Sequence, residues 1–170
     1  VPAPLPEGVR VKRVSLRKIR FDLEKALGRS IVRTRKFPSN PRNVGGLYDR
    51  TTGLIAVKYN NDFLTMTHEL GHFLHAQFGL LSELSPGMTH LPLGKIDSHR
   101  DQYDTAEQQE QLDMLQKFDE DMLFFLTANG SSAQPKSSPV YKRQEMIAAF
   151  FVEYILNPDS AREKSRWFYD

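Results

Sequence analysis

Residues 67–72 read Thr-His-Glu-Leu-Gly-His and contain the pattern H-E-x-x-H. On a helix this spacing sets His68 and His72 one turn apart on the same face. Two imidazole nitrogens can then meet one metal ion. Glu69 lies one step round the helix, close enough to reach a water at such an ion without ligating it. Two fixed nitrogen ligands and a carboxylate base are the parts that metal-assisted peptide hydrolysis needs. The chain has five histidines and no cysteine, so a thiolate metal site, a disulfide scaffold and a cysteine nucleophile are excluded. Zinc is the expected ion. It accepts nitrogen and oxygen ligands and keeps one position for water.

A catalytic zinc site asks for a third protein ligand. The candidates are His75, Glu107, Glu145 and Glu153. His75 falls near His68 in angle but about 10 Å further along the helix axis, which suits packing or support of a ligand better than ligation. Glu145 opens a run, Glu145 to Leu156, that is apolar nearly all round and therefore expected to be buried. A buried carboxylate must be paired or bind metal. Glu145 and Glu153 are the charges in that run. One can ligate, and the other can orient a histidine N–H. The alternative for either is a surface carboxylate or an ion pair with Arg143. Glu107 stands among other acids, where a solvated face is the plainer reading. Gly71 costs about 1 kcal/mol inside a helix relative to Ala, so it either marks the close approach of another backbone or is merely tolerated.

The stretch His68-Glu69-Leu70-Gly71-His72-Phe73-Leu74-His75, with Gly79 behind it, resembles the zincins, in particular the light chains of clostridial neurotoxins. That resemblance implies that His75 is not a ligand and points to Glu107 as the third one. Glu145-x-x-Ala148, followed by Phe151 and Pro158, is similar to the corresponding helix of the anthrax lethal factor type and of the ImmA/IrrE type. Both likenesses imply Glu145 as the third ligand, and the lethal factor type implies Tyr141 as a donor to the developing oxyanion. Gly45-Gly46 ahead of a hairpin is similar to type III effector peptidases of the NleD kind. The resemblances imply a zincin-like α+β fold, a small twisted sheet followed by an active-site helix and further C-terminal helices. They also imply a zinc endopeptidase of the bacterial toxin or effector class, acting on a protein in the host cytoplasm. A cytoplasmic regulator of the ImmA/IrrE kind, or a binding module stabilised by metal, is the alternative.

The elements that must position these residues follow from periodicity. Pro2, Pro4 and Pro6 make residues 1–14 extended. Ser15 can cap a helix with Leu16, Ile19, Leu23, Ala26 and Leu27 on one stripe, ended by Gly28. Residues 31–37 alternate as an exposed strand, and 38–46 are loop. Leu47–Arg50, a turn at Thr51-Thr52-Gly53, and Leu54–Tyr59 form a hairpin with Ile55, Val57 and Tyr59 facing the core. Leu54–Tyr59 is the expected edge for pairing a substrate peptide. Asn60-Asn61-Asp62 supplies a turn and a cap for a helix over 63–78, closed by Gly79. Residues 80–100 are irregular, with two Pro and two Gly, and are expected to form one wall of the cleft. A helix over 101–127 carries Tyr103, Ala106, Leu115, Phe118, Met122 and Phe125 on its apolar side. Residues 128–139 read as linker, and the last helix covers 141–156, stopped by Asn157-Pro158.

With 170 residues the chain is expected to fold as a single domain over 1–170, and as a monomer. It begins without Met, as a piece of a longer chain would. Its net charge of +2 is unevenly spread, since residues 1–36 carry 11 Lys or Arg against 3 acids. That segment has no stacking pattern, so a solvated basic face beside the acidic 101–113 stretch is expected, and nucleic acid is not. No apolar run is long enough to span a bilayer. A protein or peptide substrate is the expected partner.

Overall fold

Residues 16–34, 45–59, 62–128 and 137–169 are described in a computed structural model of the chain. Helix α1 covers Leu16–Leu27 and strand β1 covers Ile31–Arg33. Strands β2 (Gly46–Asp49) and β3 (Leu54–Val57) precede helix α2 (Phe63–Phe78). Short 3-10 turns at Met88–His90 and Asp97–Gln102 lead into α3 (Ala106–Ala128). The chain then runs through α4 (Pro139–Leu156), α5 (Pro158–Lys164) and α6 (Arg166–Tyr169). The class is α+β: a small mixed sheet with mostly helices around it. The proline-rich start, the Ser15 cap, residues 35–37 of the expected strand, the loop 38–44, Asn60-Asn61 and residues 129–136 lie outside the described residues.

The β2–β3 hairpin turns where the sequence predicts. Asp49 accepts hydrogen bonds from the Thr51 N–H and the Thr52 hydroxyl, and Gly53 takes the positive φ that closes the turn. Strand order, however, is β1-β3-β2. β1 pairs in parallel with β3, Ile31 opposite Ile55, and β2 pairs with β3 antiparallel, Leu47 opposite Ala56. β3 is therefore the central strand and not the edge for a substrate. Its position buries Ile55, Ala56 and Val57 in succession. Pairing stops at Val57, which leaves Tyr59 53% exposed instead of in the core.

One core lies between the sheet and α2, formed by Ile31, Ile55, Val57, Met66, Leu70 and Phe73, with Ile19, Leu23 and Leu27 of α1 packed against it. Ala26 is exposed, off that stripe. A second core joins α3 and α4 to the C-terminal helices through Phe118, Met122, Phe125, Met146, Ile147 and Phe150. The two C-terminal helices are additional to the elements expected. Asn157 stops α4 but also caps α5, accepting from Ser160 N–H, and Pro158 occupies the first turn, where its missing N–H leaves nothing unpaired.

Residues 80–102 contribute a third core of Leu84, Met88, Leu91 and Ile96 against Leu112 and Leu115 of α3. Tyr103 is only half-buried and Ala106 is exposed, because α3 starts at Ala106 rather than at 101. The segment is tied down further by Arg143, which is fully buried. Its guanidinium donates to both Asp119 oxygens, at 2.7 and 2.5 Å, and to the Thr89 and Leu91 carbonyls, at 2.7 and 3.0 Å. A buried charge needs this full set of partners. Among the described residues no helix is long and apolar enough to cross a membrane.

Candidate metal centre

The helix that carries the histidines is bounded by its own sequence. The Asp62 carboxylate accepts from the Thr65 N–H and hydroxyl, at 3.0 and 2.6 Å, and so caps the N-terminus of α2. Gly79, with φ 58°, donates its N–H to the His75 carbonyl and ends the helix. Between these caps His68 and His72 share one face, with ring centroids 4.8 Å apart and planes at 90°.

Small residues set the approach of α4. A Cβ on Gly71 would lie 2.7 Å from the Ala148 Cα and 3.0 Å from its carbonyl oxygen, closer than packed atoms tolerate. Gly71 is thus explained by close backbone approach, the first of the two readings its position allows. With α2 and α4 this near, Glu145 reaches between the histidines from one turn before Ala148. Its Oε2 lies 3.2 Å from His68 Nε2 and its Oε1 3.2 Å from His72 Nε2. The three residues can offer ligand atoms that all lie within 4.8 Å of one another.

The other candidates stand elsewhere. Glu107 is exposed near the start of α3. Glu153 accepts from the Lys164 ammonium at 2.8 Å and the Ser160 hydroxyl at 2.5 Å, which makes it a clasp between α4 and α5. Arg143 pairs with Asp119 rather than with either glutamate. His75 is part-buried beyond the pair, and its Nδ1 finds no hydrogen-bond partner among the described residues.

Strand β2 roofs the site. In its register alternate residues turn their amides toward β3: the Gly45 carbonyl accepts from Lys58 N–H and the Asp49 carbonyl from Gly53 N–H. Gly46 and Tyr48 therefore turn theirs away from β3, and the Tyr48 N–H donates to the Glu69 carboxylate. A side chain on Gly46 would meet Thr65 Cγ2 at 2.5 Å and Glu69 Cγ at 2.6 Å, so only glycine lets the strand lie this close. The Tyr48 ring meets Phe73 edge-on at 5.8 Å and fixes the strand to α2. The resulting cavity of about 560 Å³ is lined by Gly46, Tyr48, His68, Glu69, Tyr141 and Glu145, among others. Its walls are β2 and α4. Residues 80–100, expected to form one wall, do not line it, because their apolar side chains are spent on the third core.

Electrostatics sort the five titratable groups in and beside the site. Burial opposes ionisation of Glu145, but the bonds and charges of His68 and His72 outweigh it and hold the carboxyl well below the usual carboxylate range. His68 is likewise lowered by burial and raised more by Glu145 and Glu69, for a net rise. Glu69 moves the other way. Burial raises it, and the nearby histidines and the Tyr48 N–H only partly offset that. Tyr141 is pushed up to about 12 by burial and by Glu145, to which its hydroxyl hydrogen bonds. His75 is lowered to about 4 by burial, then by Arg50 and His72.

Five sequence-selected residues thus share one cavity: His68, Glu69, His72, Tyr141 and Glu145. The neighbours Tyr48, Arg50 and Gln144 were not among them. Tyr48 acts through its backbone, which side-chain chemistry cannot announce, and Arg50 looks like any turn arginine until the hairpin is folded. An α+β chain with a part-buried two-histidine, one-glutamate cluster and an adjacent glutamate outside it is the class these features define. Comparison with family models, with curated proteins and with solved structures yields no match.

Proposed function

We propose that the protein is a zinc-dependent endopeptidase with a zincin-like fold, of the bacterial toxin or effector class and acting on a protein in a host cytoplasm. The observation that carries the peptidase reading is the Glu145 carboxylate, 3.2 Å from both His68 Nε2 and His72 Nε2, with Glu69 beside it and outside the cluster. The donor set suits zinc: two imidazole nitrogens and a carboxylate, with an open cavity on one side. In this reading His68, His72 and Glu145 hold the ion. Bound there, zinc supplies Lewis acidity toward a carbonyl and makes water acidic near neutral pH.

The chain's own groups do the rest. Glu69 takes a proton from the water that attacks the scissile carbonyl and delivers it to the leaving amine as the C–N bond breaks. Burial suits it to the task, since a carboxyl with a raised pKa holds that proton more readily between the two transfers. The Tyr48 N–H fixes the orientation of that carboxylate. Tyr141, protonated at neutral pH, can donate its hydroxyl to the oxyanion as charge develops there. The Gly46 amide and the Tyr48 carbonyl, on the outer edge of β2, offer a substrate backbone strand-like pairing.

The test is metal content and cleavage together. The purified protein should hold about one zinc and cut unfolded protein, and Glu69→Gln should keep the zinc and lose cleavage. A metal-stabilised binding module or a regulator would instead melt with a chelator and cut nothing.

A further inference from the structure

A second cavity, of about 460 Å³, adjoins the first and shares Tyr48, Arg50 and Gln144 with it. It lies along the C-terminal end of α2 and the start of α4. The lining mixes apolar side chains, Leu81 and Val140 among them, with polar ones and carries one formal charge. Arg50 is the sole Lys, Arg, Asp or Glu in it, beside neutral hydrogen-bonding groups such as Gln77, Ser82, Thr89 and Gln144. Arg50 makes no hydrogen bond or ion pair among the described residues, and its neighbour Asp49 is occupied within its own turn. The first cavity, which Arg50 also lines, differs in holding two carboxylates, Glu69 and Glu145. His75 adds no second charge near neutral pH, since burial and the Arg50 guanidinium keep its imidazole neutral.

We propose that this second cavity is a substrate subsite that takes an anionic side chain, a carboxylate or a phosphate, close to the scissile bond. The inference rests on the endopeptidase reading for the word scissile and on the cavity itself for the chemistry. A guanidinium presents several N–H donors in a planar fork that matches either anion, and it gains most where no acid competes for it. An acidic side chain placed in the first cavity would stand beside the Glu69 carboxylate. In the second it meets Arg50 and neutral amides and hydroxyls. A lysine side chain finds no carboxylate in the second cavity, so Arg50 discriminates against it there.

The experiment uses zinc-loaded protein and matched peptides with Glu, phosphoserine, Gln or Lys at each position flanking a cleavage site mapped by mass spectrometry. At one fixed position the Glu or phosphoserine peptide should exceed the Gln peptide in kcat/KM by about tenfold. Arg50→Gln should bring that ratio to about one, and Arg50→Glu should turn the preference to Lys. The Glu and phosphoserine arms decide between the two anions. Peptide affinity of zinc-loaded Glu69→Gln, by calorimetry, gives a readout free of turnover. If the wild type cuts nothing but this variant binds acidic peptides tenfold better, and Arg50→Gln removes the difference, the peptidase reading falls and the subsite stands. An acidic preference that survives Arg50→Glu, or no acidic preference in cleavage and binding alike, overturns the subsite.

Discussion

Gly71 and Ala148 touch backbone to backbone: a single methyl on Gly71 would sit 2.7 Å from the Ala148 Cα. This contact sets how closely α2 and α4 approach, and hence whether Glu145 reaches both histidines.

Gly71→Ala is therefore a test of geometry. Helix propensity alone favours Ala by about 1 kcal/mol. Overpacking against a backbone costs about 1–3 kcal/mol, since Ala148 cannot rotate away as a side-chain tip would. The expected result is a lower melting temperature and zinc affinity reduced by about tenfold or more, read by competition with a chromophoric chelator. A variant more stable than wild type with unchanged affinity would show that the helices have slack.

Glu145→Ala, Glu107→Ala and Glu153→Ala separate the ligand candidates. Glu145→Ala should reduce zinc affinity by about a hundredfold or more. Glu107→Ala should leave it unchanged, since that residue is exposed on α3. Glu153→Ala should lower stability slightly through the lost Lys164 and Ser160 contacts and leave the metal in place. Loss of zinc in Glu107→Ala with retention in Glu145→Ala would reverse the assignment.

Tyr141→Phe keeps the ring and removes the hydroxyl. Zinc should remain at one per chain. If the hydroxyl donates to the oxyanion, kcat should fall by about a hundredfold with KM little changed. Loss of zinc or a lowered melting temperature in Tyr141→Phe, in proportion to the lost activity, would show that Tyr141 acts through folding or metal retention alone.

His75 gives the metal-free protein a pH signature. Its folded-state pKa is lowered to about 4 from a usual 6.5 by burial, Arg50 and His72. Above 6.5 both folded and unfolded forms are neutral there, and the stability is fully present. As pH falls from 6.5 toward about 4 the unfolded chain gains a proton that the folded one refuses, so stability drops, and below about 4 the loss levels off. Water reaching the half-buried ring limits the effect to about 1 kcal/mol. Urea unfolding at pH 7, 5.5 and 4 should show a steeper decline for the wild type than for His75→Gln. The comparison is needed because His68 and Glu145 titrate oppositely in the same protein. Parallel declines would place the imidazole in water.

The parts legible in the sequence were those specified locally. Asp62, the apolar periodicity and Gly79 bound α2 residue for residue, and the Asp49 to Gly53 turn closes the hairpin as read. Glu145 was legible because a carboxylate in an apolar helix must have a partner. What stayed hidden depends on contacts between distant segments. Nothing in Ile31–Arg33 says that it pairs with β3 and makes that strand central, so the open edge moved to β2. Arg143 lies two residues from Glu145 and by sequence is only its alternative partner, and its actual partner, Asp119, comes from α3. Leu84, Met88, Leu91 and Ile96 lack any helical or strand period, so the core they form was read as a cleft wall.

The separation of the ligands along the chain has a temporal consequence. His68 and His72 are present as soon as α2 forms, but Glu145 arrives only when α4 docks on Gly71 and Arg143 closes over Asp119. On the proposed reading a chain emerging from the ribosome, or from an export channel, holds two ligands and an idle base until α4 is made. Metal capture, and with it any hydrolytic capacity, then waits on the docking of α4, which spares the cell that makes the protein from a half-built enzyme.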